Sequence, residues 1–374
     1  MTTRPTPTNP SSLETRLLAF LEAAHFTRVE PSILQPASVF LDLSGEDIRG
    51  RLYLTSDIAG AELCLRPEYT IPVSRDYLSG PMAGQVQSVS YLGPVFRMRV
   101  GEGGEFLQAG IESYGRMDRE AADAEILTAA LDAVHSVSAS PLMVRFGDAG
   151  LFARLLEVMG LAPVWLRRIK RGFAQGKTLE TIAQANGTAS SIDHSGVLAA
   201  LAGSDKQGAR ALVEDLLSIA GISSVGGRSA GEIAERFLEQ ATLKSGGGLD
   251  AEKQAILAKF LSVAGDAGQS SARLRALAGE AKLDLSEALD AFDARINFLA
   301  ARGCDMARLS FAASFARNLD YYTGFVFEAH DPQRADRKPI IGGGRYDGLL
   351  KALGAQGDVP AVGAAIWIER IAGA

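Results

Sequence analysis

The sequence is poor in the residues that usually mark a metal or disulfide site. Of 374 residues, two are cysteine and four are histidine. Cys64 and Cys304 lie too far apart for ligand-like spacing, and read as free thiols in a reducing cytosol. His25, His135, His194 and His330 are scattered, without the close pairing that zinc ligands show, so no metal is expected. No apolar run approaches the roughly 20 residues that span a bilayer. Residues 1–12, rich in Thr, Pro, Ser and Asn, lack the basic start and apolar run of a signal peptide and read as a loose tail. The expected location is therefore cytoplasmic. Basic charge is also in deficit: 38 Lys and Arg face 44 Asp and Glu, for a net charge of -6. Tight nucleic-acid binding normally needs clustered cations to neutralise phosphates. The one dense basic cluster, Arg167-Arg168-Ile-Lys170-Arg171, reads as a solvated helix face. No Gly-x-Ser-x-Gly elbow and no phosphate-loop Gly-Lys-Ser/Thr occurs, which removes the common hydrolase and nucleotidase signatures.

What is present is ample apolar material, 47% of the chain, enough for large buried cores and against disorder. The length suggests about two domains. Ser11-Ser-Leu-Glu14 has the form of a capping box ahead of Leu13, Leu17, Leu18 and Leu21, which predicts a helix. From Thr27 to Arg75 the pattern is irregular and strand-like, punctuated by proline. Val86 to Phe96, interrupted at Gly93-Pro94, and Phe106 to Gly115 predict two strands around a glycine-rich loop. Leu142 to Phe146 predicts another short strand. From about Leu151 to Arg302 Ala and Leu at helical spacing dominate, and strand character returns at Leu309 to Ala316, Phe325 to Ala329 and Ala361 to Trp367. Strands at both ends with helices between predict an α+β domain carrying a mostly helical insertion. The expected division is a domain of 13–150 plus 300–374, with 151–299 inserted.

Four separated segments carry the chemistry. Glu68 and Thr70, two residues apart, share one face if that segment is extended. Glu112 is a second acid in an apolar strand, with Gln108 four residues earlier. Two carboxylates and an amide suit an ammonium group through charge-assisted hydrogen bonds. Tyr321, Tyr322 and Tyr346 offer stacking surface with hydroxyl tips, which fits an imidazole. Gly342-Gly-Gly-Arg345 alone is a weak phosphate-loop signal, since three glycines often mean only a tight turn.

Taken in order, these segments resemble the class II aminoacyl-tRNA synthetase core, and histidyl-tRNA synthetase in particular. Tyr91-Leu-Gly-Pro-Val-Phe-Arg97 resembles the start of motif 2, and Ala361-Val-Gly363 through Ile368-Glu-Arg370 resembles motif 3. Arg317-Asn-Leu-Asp-Tyr-Tyr322 and Gly343-Gly-Arg-Tyr-Asp-Gly-Leu349 resemble the two histidine-specific signatures. The resemblance implies an antiparallel sheet flanked by helices. It places histidine contacts at Glu68, Thr70, Gln108, Glu112, Arg317, Tyr322 and Tyr346, with Tyr321 beside them. It places a vestigial nucleotide site at Arg97, Phe106 and Arg370.

The departures from that pattern are specific. Motif 2 of the family runs Phe-Arg-x-Glu, whereas here Phe96-Arg97-Met98-Arg99 puts a donor-only guanidinium where adenine needs an acceptor. The loop Gly101 to Glu105 offers two acids in place of arginines, and acids repel phosphates. The chain ends four residues beyond Arg370, so no anticodon-binding domain is expected. One branch of the family combines these features: regulatory subunits of ATP phosphoribosyltransferase. That resemblance implies a non-catalytic chain with no catalytic residues, no cofactor and no tRNA or membrane partner. It further implies histidine as feedback effector in histidine biosynthesis, a short-form catalytic subunit as partner, and a homodimer within a hetero-oligomer. The alternatives are a truncated synthetase-like enzyme that forms an aminoacyl adenylate, favoured by Arg97, Arg317 and Arg370, and an RNA-associated accessory protein.

Overall fold

A computed structural model describes residues 12–43, 50–161, 163–174, 177–184, 249–315 and 321–372, with positions 48, 215, 224–225 and 228–229. The chain forms two compact units, one of residues 1–158 and 260–374 and one of 159–259. The sequence reading put the second boundary at 299/300; it falls at 259/260. The reason is ionic: Arg295 pairs with Asp123 and Asp148 inside the first unit, so the helix that carries it belongs there.

Helix α1 (Leu13–Ala23) opens the first unit. Its cap is Ser12, whose hydroxyl accepts from Thr15 N at 3.3 Å, one residue later than the capping box predicted. Strands β1 (Thr27–Arg28) and β2 (Leu34–Pro36), helix α2 (Ala37–Leu43), and strands β3 (Leu54–Ser56) and β4 (Glu62–Leu65) follow. Strands β2, β4 and β3 make a small antiparallel sheet. Helix α3 (Thr70–Ser79) then leads to the long hairpin β5 (Gln87–Phe96) and β6 (Glu105–Tyr114). Gly93-Pro94 does not interrupt β5, because the proline lacks only an N–H that no neighbour needs there. The β1 partner pairs with Val89 and Ser90 alone, while the Pro94 carbonyl accepts from Arg66 Nε at 2.9 Å.

Next come α4 (Arg119–His135), β7 (Met143–Asp148) and α5 (Ala149–Val158). The second unit holds α6 (Pro163–Ala174), α7 (Leu179–Gln184), the small pair β8 (Ser224–Val225) and β9 (Arg228–Ser229), and most of α8 (Ala251–Leu261). On α6 the side chains Trp165, Ile169 and Phe173 are buried, a four-residue repeat that turns one helical stripe inward. Arg168 lies over Trp165 at 5.1 Å.

The first unit resumes with β10 (Ala264–Gly265), α9 (Ala267–Glu280), α10 (Ser286–Ala301), β11 (Leu309–Ala312), β12 (Phe325–His330), β13 (Ile341–Arg345), α11 (Asp347–Ala352), β14 (Ala361–Trp367) and α12 (Ile368–Ala372). Nine strands form the main sheet in the order β1-β5-β6-β14-β13-β12-β7-β11-β10. It is antiparallel through the middle, but β1 with β5 and β11 with β7 are parallel. The sheet is thus mixed, not purely antiparallel as expected. Helices α4 and α10 pack together against one of its faces. No described helix is long and apolar enough to cross a membrane.

Strand β13 is the element that composition hid. Its glycines looked like a turn, yet they pair with β12 on one side and β14 on the other. A Cβ on Gly343 would meet Phe327 Cζ at 2.7 Å, and one on Gly344 would meet the Phe325 carbonyl at 2.5 Å and Tyr322 Cδ1 at 2.9 Å. Here glycine marks close packing in a central strand rather than chain reversal.

Candidate functional site

Alternation along β6 sends Gln108, Gly110, Glu112 and Tyr114 to one face of the sheet, away from α4. Register places Gly363 of β14 opposite Glu112, and Gly344 of β13 opposite Gly363. Side chains lie flat over these glycines. A Cβ on Gly363 would collide with the Glu112 carboxylate, one on Gly110 with the Tyr91 ring, and one on Gly344 with the Tyr322 ring. The floor is therefore backbone, and the acid and tyrosines form the layer above it.

Glu112 is 1% exposed. Thr70 Oγ1 donates to its Oε1 at 2.9 Å, the Tyr91 hydroxyl donates to the same oxygen at 3.5 Å, and the Tyr346 hydroxyl donates to Oε2. Its hydrogen-bond partners among the described residues are three hydroxyl groups. Burial of the charge pushes the carboxyl up to about 8, against the pull of the Tyr346 and Thr70 hydrogen bonds and aided by nearby Glu68. Burial likewise holds the Tyr91, Tyr114 and Tyr346 phenols well above their ordinary range, so they stay donors. Gln108 is 2% exposed, and its Oε1 has no hydrogen-bond partner among the described residues. Tyr321 meets Tyr346 edge-on at 5.9 Å and Tyr322 at 5.0 Å. Thr70, Glu112, Tyr321, Tyr322 and Tyr346 are thus gathered at one place, while Gln108 lies four residues back on the same face of β6.

Glu68, expected as a histidine contact, sits at the start of a helix. The segment is not extended, because Thr70 begins α3. Glu68 Oε2 accepts from Thr70 N at 2.7 Å and Oε1 from Ile71 N at 2.9 Å. The carboxylate caps the helix N-terminus, where anions are favoured. Arg317 lies outside the described residues. Sequence reasoning did not assign a role to Tyr91, Gly110 or Gly363; only their place inside the motif 2 and motif 3 segments signalled them.

The carboxyl of Glu112 gives a first prediction. Its folded value lies above that of an exposed carboxylate, so its contribution to stability is complete below the unfolded value of 4.5 and is lost as pH climbs through about 8. Glu112→Gln should therefore flatten the decline of Tm across that window, read by thermal melts at closely spaced pH.

The expected nucleotide positions cluster at the other end of β6. Arg97 Cζ lies 5.4 Å and Arg99 Cζ 4.1 Å from the centre of the Phe106 ring. Arg97 Nε donates to the Pro67 carbonyl at 2.6 Å. Arg370 covers Trp367 at 4.4 Å and donates to the Pro339 carbonyl at 2.5 Å. Burial lowers Arg370 to about 10, and Arg97 and Arg99 push the same way against Glu369. The loop acids are not a free negative field, as their sequence implied. Glu102 pairs with Arg99 at 2.9 Å and with Lys338, and Arg99 also reaches Glu369 at 3.3 Å. The cation at 99 occupies the Phe106 ring face and recruits the acid at 102.

Comparison with known proteins adds the lineage. The family model for histidyl-tRNA synthetase matches residues 6–226 and 208–371. ATP phosphoribosyltransferase regulatory subunits from Brucella ovis and Brucella abortus are each 38% identical over 354 residues. The match covers 94% of this chain, 94% of the first relative and 93% of the second. The chain belongs to the histidyl-tRNA synthetase-like family of ATP phosphoribosyltransferase regulatory subunits. Solved structures agree in fold. One is described as an ATP phosphoribosyltransferase regulatory subunit/histidyl-tRNA synthetase from Bacillus halodurans, with TM-score 0.65 at 20% identity over 99% of this chain and 82% of that one. A histidyl-tRNA synthetase from Nostoc sp. PCC 7120 gives TM-score 0.62 at 17% identity over 96% and 70%. In this regulatory subunit-like chain, the main sheet supplies the floor of the Glu112 site, and Arg99 lies in the β5–β6 loop.

Proposed function

We propose that the chain is the histidine-sensing, non-catalytic partner of a short-form ATP phosphoribosyltransferase, and that the Glu112 site takes histidine. The observation that carries this reading is the buried Glu112 carboxyl, met by the hydroxyls of Thr70, Tyr91 and Tyr346. Such a site is rich in acceptors and short of positive charge, which suits an ammonium or imidazolium donor. Tyr321, Tyr322 and Tyr346 supply aromatic edges and faces for the ring. Arg317 belongs to the same proposal as a further histidine contact. Within a homodimer joined to catalytic subunits, histidine inhibits by binding one arrangement of the assembly better than another. A coupling of about 1–3 kcal/mol is typical for such effectors.

The same geometry argues against amino-acid activation. Arg99 fills the Phe106 ring face, so a base stacking there has to displace a cation held by two carboxylates. The rival reading, an enzyme that forms an aminoacyl adenylate, draws on the retained Arg97 and Arg370. Histidine-dependent exchange of pyrophosphate into ATP separates the two. No exchange above background is expected, together with saturable histidine binding by calorimetry; robust exchange overturns the proposal.

Binding also carries a pH signature. In the empty site Glu112 holds its proton below about 8, and a cationic ligand must displace it. Histidine affinity should rise toward pH 8 and then level off, with proton release near pH 7. Calorimetry in buffers of different ionisation enthalpy measures that release.

A further inference from the structure

Behind the sheet, opposite Glu112, lies a buried ionic cluster that neither the sequence motifs nor the proposed histidine contacts require. Asp123 of α4 is fully buried and sits between two arginines. Arg295 Nε donates to its Oδ2 at 2.8 Å, and Arg345 Nε donates to its Oδ1 at 2.8 Å. Arg295 also reaches Asp148 at 2.7 Å. Arg345 reaches the Asp347 carboxylate at 2.8 Å and the Arg119 carbonyl at 3.0 Å. Asp347 in turn accepts from Ala361 N at 2.9 Å, and the Ala361 carbonyl accepts from Tyr346 N at 2.8 Å. Arg345 is the last residue of β13, paired with Val362, so alternation turns it to the α4 face. Its neighbour Tyr346 turns to the other face, where its hydroxyl donates to Glu112.

The cost of this cluster makes it informative. Burying four charged groups is expensive, and a hydrophobic substitute of similar volume is often no less stable. Stability alone is therefore a weak account of it. A guanidinium with three acceptors in fixed directions defines position far more tightly than apolar packing does. The chain segment so fixed is the two-residue step from Arg345 to Asp347, and Tyr346 is the residue between them.

We propose that Arg345, held from behind the sheet by Asp123, is the positioning residue of the Glu112 site and sets where the Tyr346 hydroxyl sits. The inference deepens the histidine reading and rests on it for the nature of the ligand, though not for the geometry. It connects the site to α4 and α10 through Asp123 and Arg295. Motion of Tyr346 on occupancy is thereby felt on the helical face.

The test uses the full-length chain and three variants. Arg345→Lys keeps the charge and loses the fork. Asp148→Asn breaks the far arm of the cluster at Arg295 and leaves Arg345 untouched. Asp347→Asn, at a side chain that is 25% exposed, serves if Arg345→Lys fails to fold. Two readouts are taken: histidine affinity by calorimetry, and titration of the Glu112 carboxyl by carbon-13 NMR in the ligand-free protein. The groups facing that carboxyl are Glu68, Tyr91, Tyr114 and Tyr346, and none of them is altered. With Tyr346 loosened, Glu112 loses a hydrogen bond that lowers its midpoint, so the midpoint should move up.

Arg345→Lys is expected to weaken histidine about tenfold and to shift that midpoint upward. Asp347→Asn is expected to act in the same directions. Asp148→Asn should lower Tm yet leave affinity and midpoint as in the wild type. If Arg345→Lys and Asp148→Asn behave alike, or if the folded Arg345 or Asp347 variant leaves the midpoint in place, the proposal is overturned. Should the wild type bind no histidine, the sensing function fails, while the ligand-free titration still decides the positioning role.

Discussion

Glu112→Ala is expected to lower histidine affinity by about 100-fold while the complex with a short catalytic subunit still assembles. The magnitude follows from the bond type. A hydrogen bond to a charged group contributes about 1.5–3 kcal/mol, more where water is excluded, and each 1.4 kcal/mol is a factor of ten. Glu112 is 1% exposed, so no water can replace the lost acceptor without opening the site. Truncation also strands the hydroxyls of Thr70 and Tyr346, both of which donate to this carboxylate. Assembly is expected to survive because the change is confined to a buried pocket. Calorimetry measures the affinity, and size-exclusion chromatography with the catalytic subunit measures assembly. Unchanged histidine affinity in a folded variant would remove the site assignment.

The second large effect is on stability and lies on the opposite face of the sheet. Asp123→Ala should cost about 3–5 kcal/mol, because it leaves Arg295 and Arg345 buried without their shared counter-ion. Both arginines are 5% exposed and Asp123 is 0% exposed, so solvent cannot screen the unpaired charges. A loss of that size is a large part of a typical domain's 5–15 kcal/mol and lowers Tm by about 10 °C. Asp336→Ala breaks an ion pair with Arg334 at the surface and should leave the denaturation midpoint where it was. Guanidinium unfolding of the two variants side by side gives the contrast. Equal midpoints would mean that the cluster bears no load.

The two strands of the β5–β6 hairpin and strand β14 were legible because apolar side chains recur along them. Strand β13 was not, since Gly342, Gly343 and Gly344 carry no side chains to show a period, and the need for glycine at 343 and 344 arises from neighbours elsewhere in the sequence. Of the site, the residue types were readable and some of their directions were not. Glu68 looked like a pocket acid because a carboxylate two residues before a helix start is indistinguishable, in sequence, from one on a strand. Thr70 and Glu112 were grouped by motif order, and the structure places them in contact at 2.9 Å. The Asp123–Arg345 pair had no local signal at all, its partners being 222 residues apart. Arg99 was legible in the sequence as a cation where the family pattern has an acid. Its hold on the loop acid Glu102 needed coordinates, because Lys338, which completes that pairing, lies far along the chain. The second domain boundary was missed for a related reason: α9 and α10 share the Ala- and Leu-rich composition of the inserted unit, and only three-dimensional contacts, packing on α4 and ion pairs to Asp123 and Asp148, assign α10 to the first.

The central claim is that this pocket reports histidine to a catalytic partner instead of activating it. The most direct measurement is phosphoribosyltransferase activity of the purified complex with a short-form catalytic subunit, titrated with histidine for the wild type and for Glu112→Ala. Activity that falls with histidine in the wild-type complex and resists it in the variant is the predicted result. Equal inhibition of both complexes, or none in either, would contradict it.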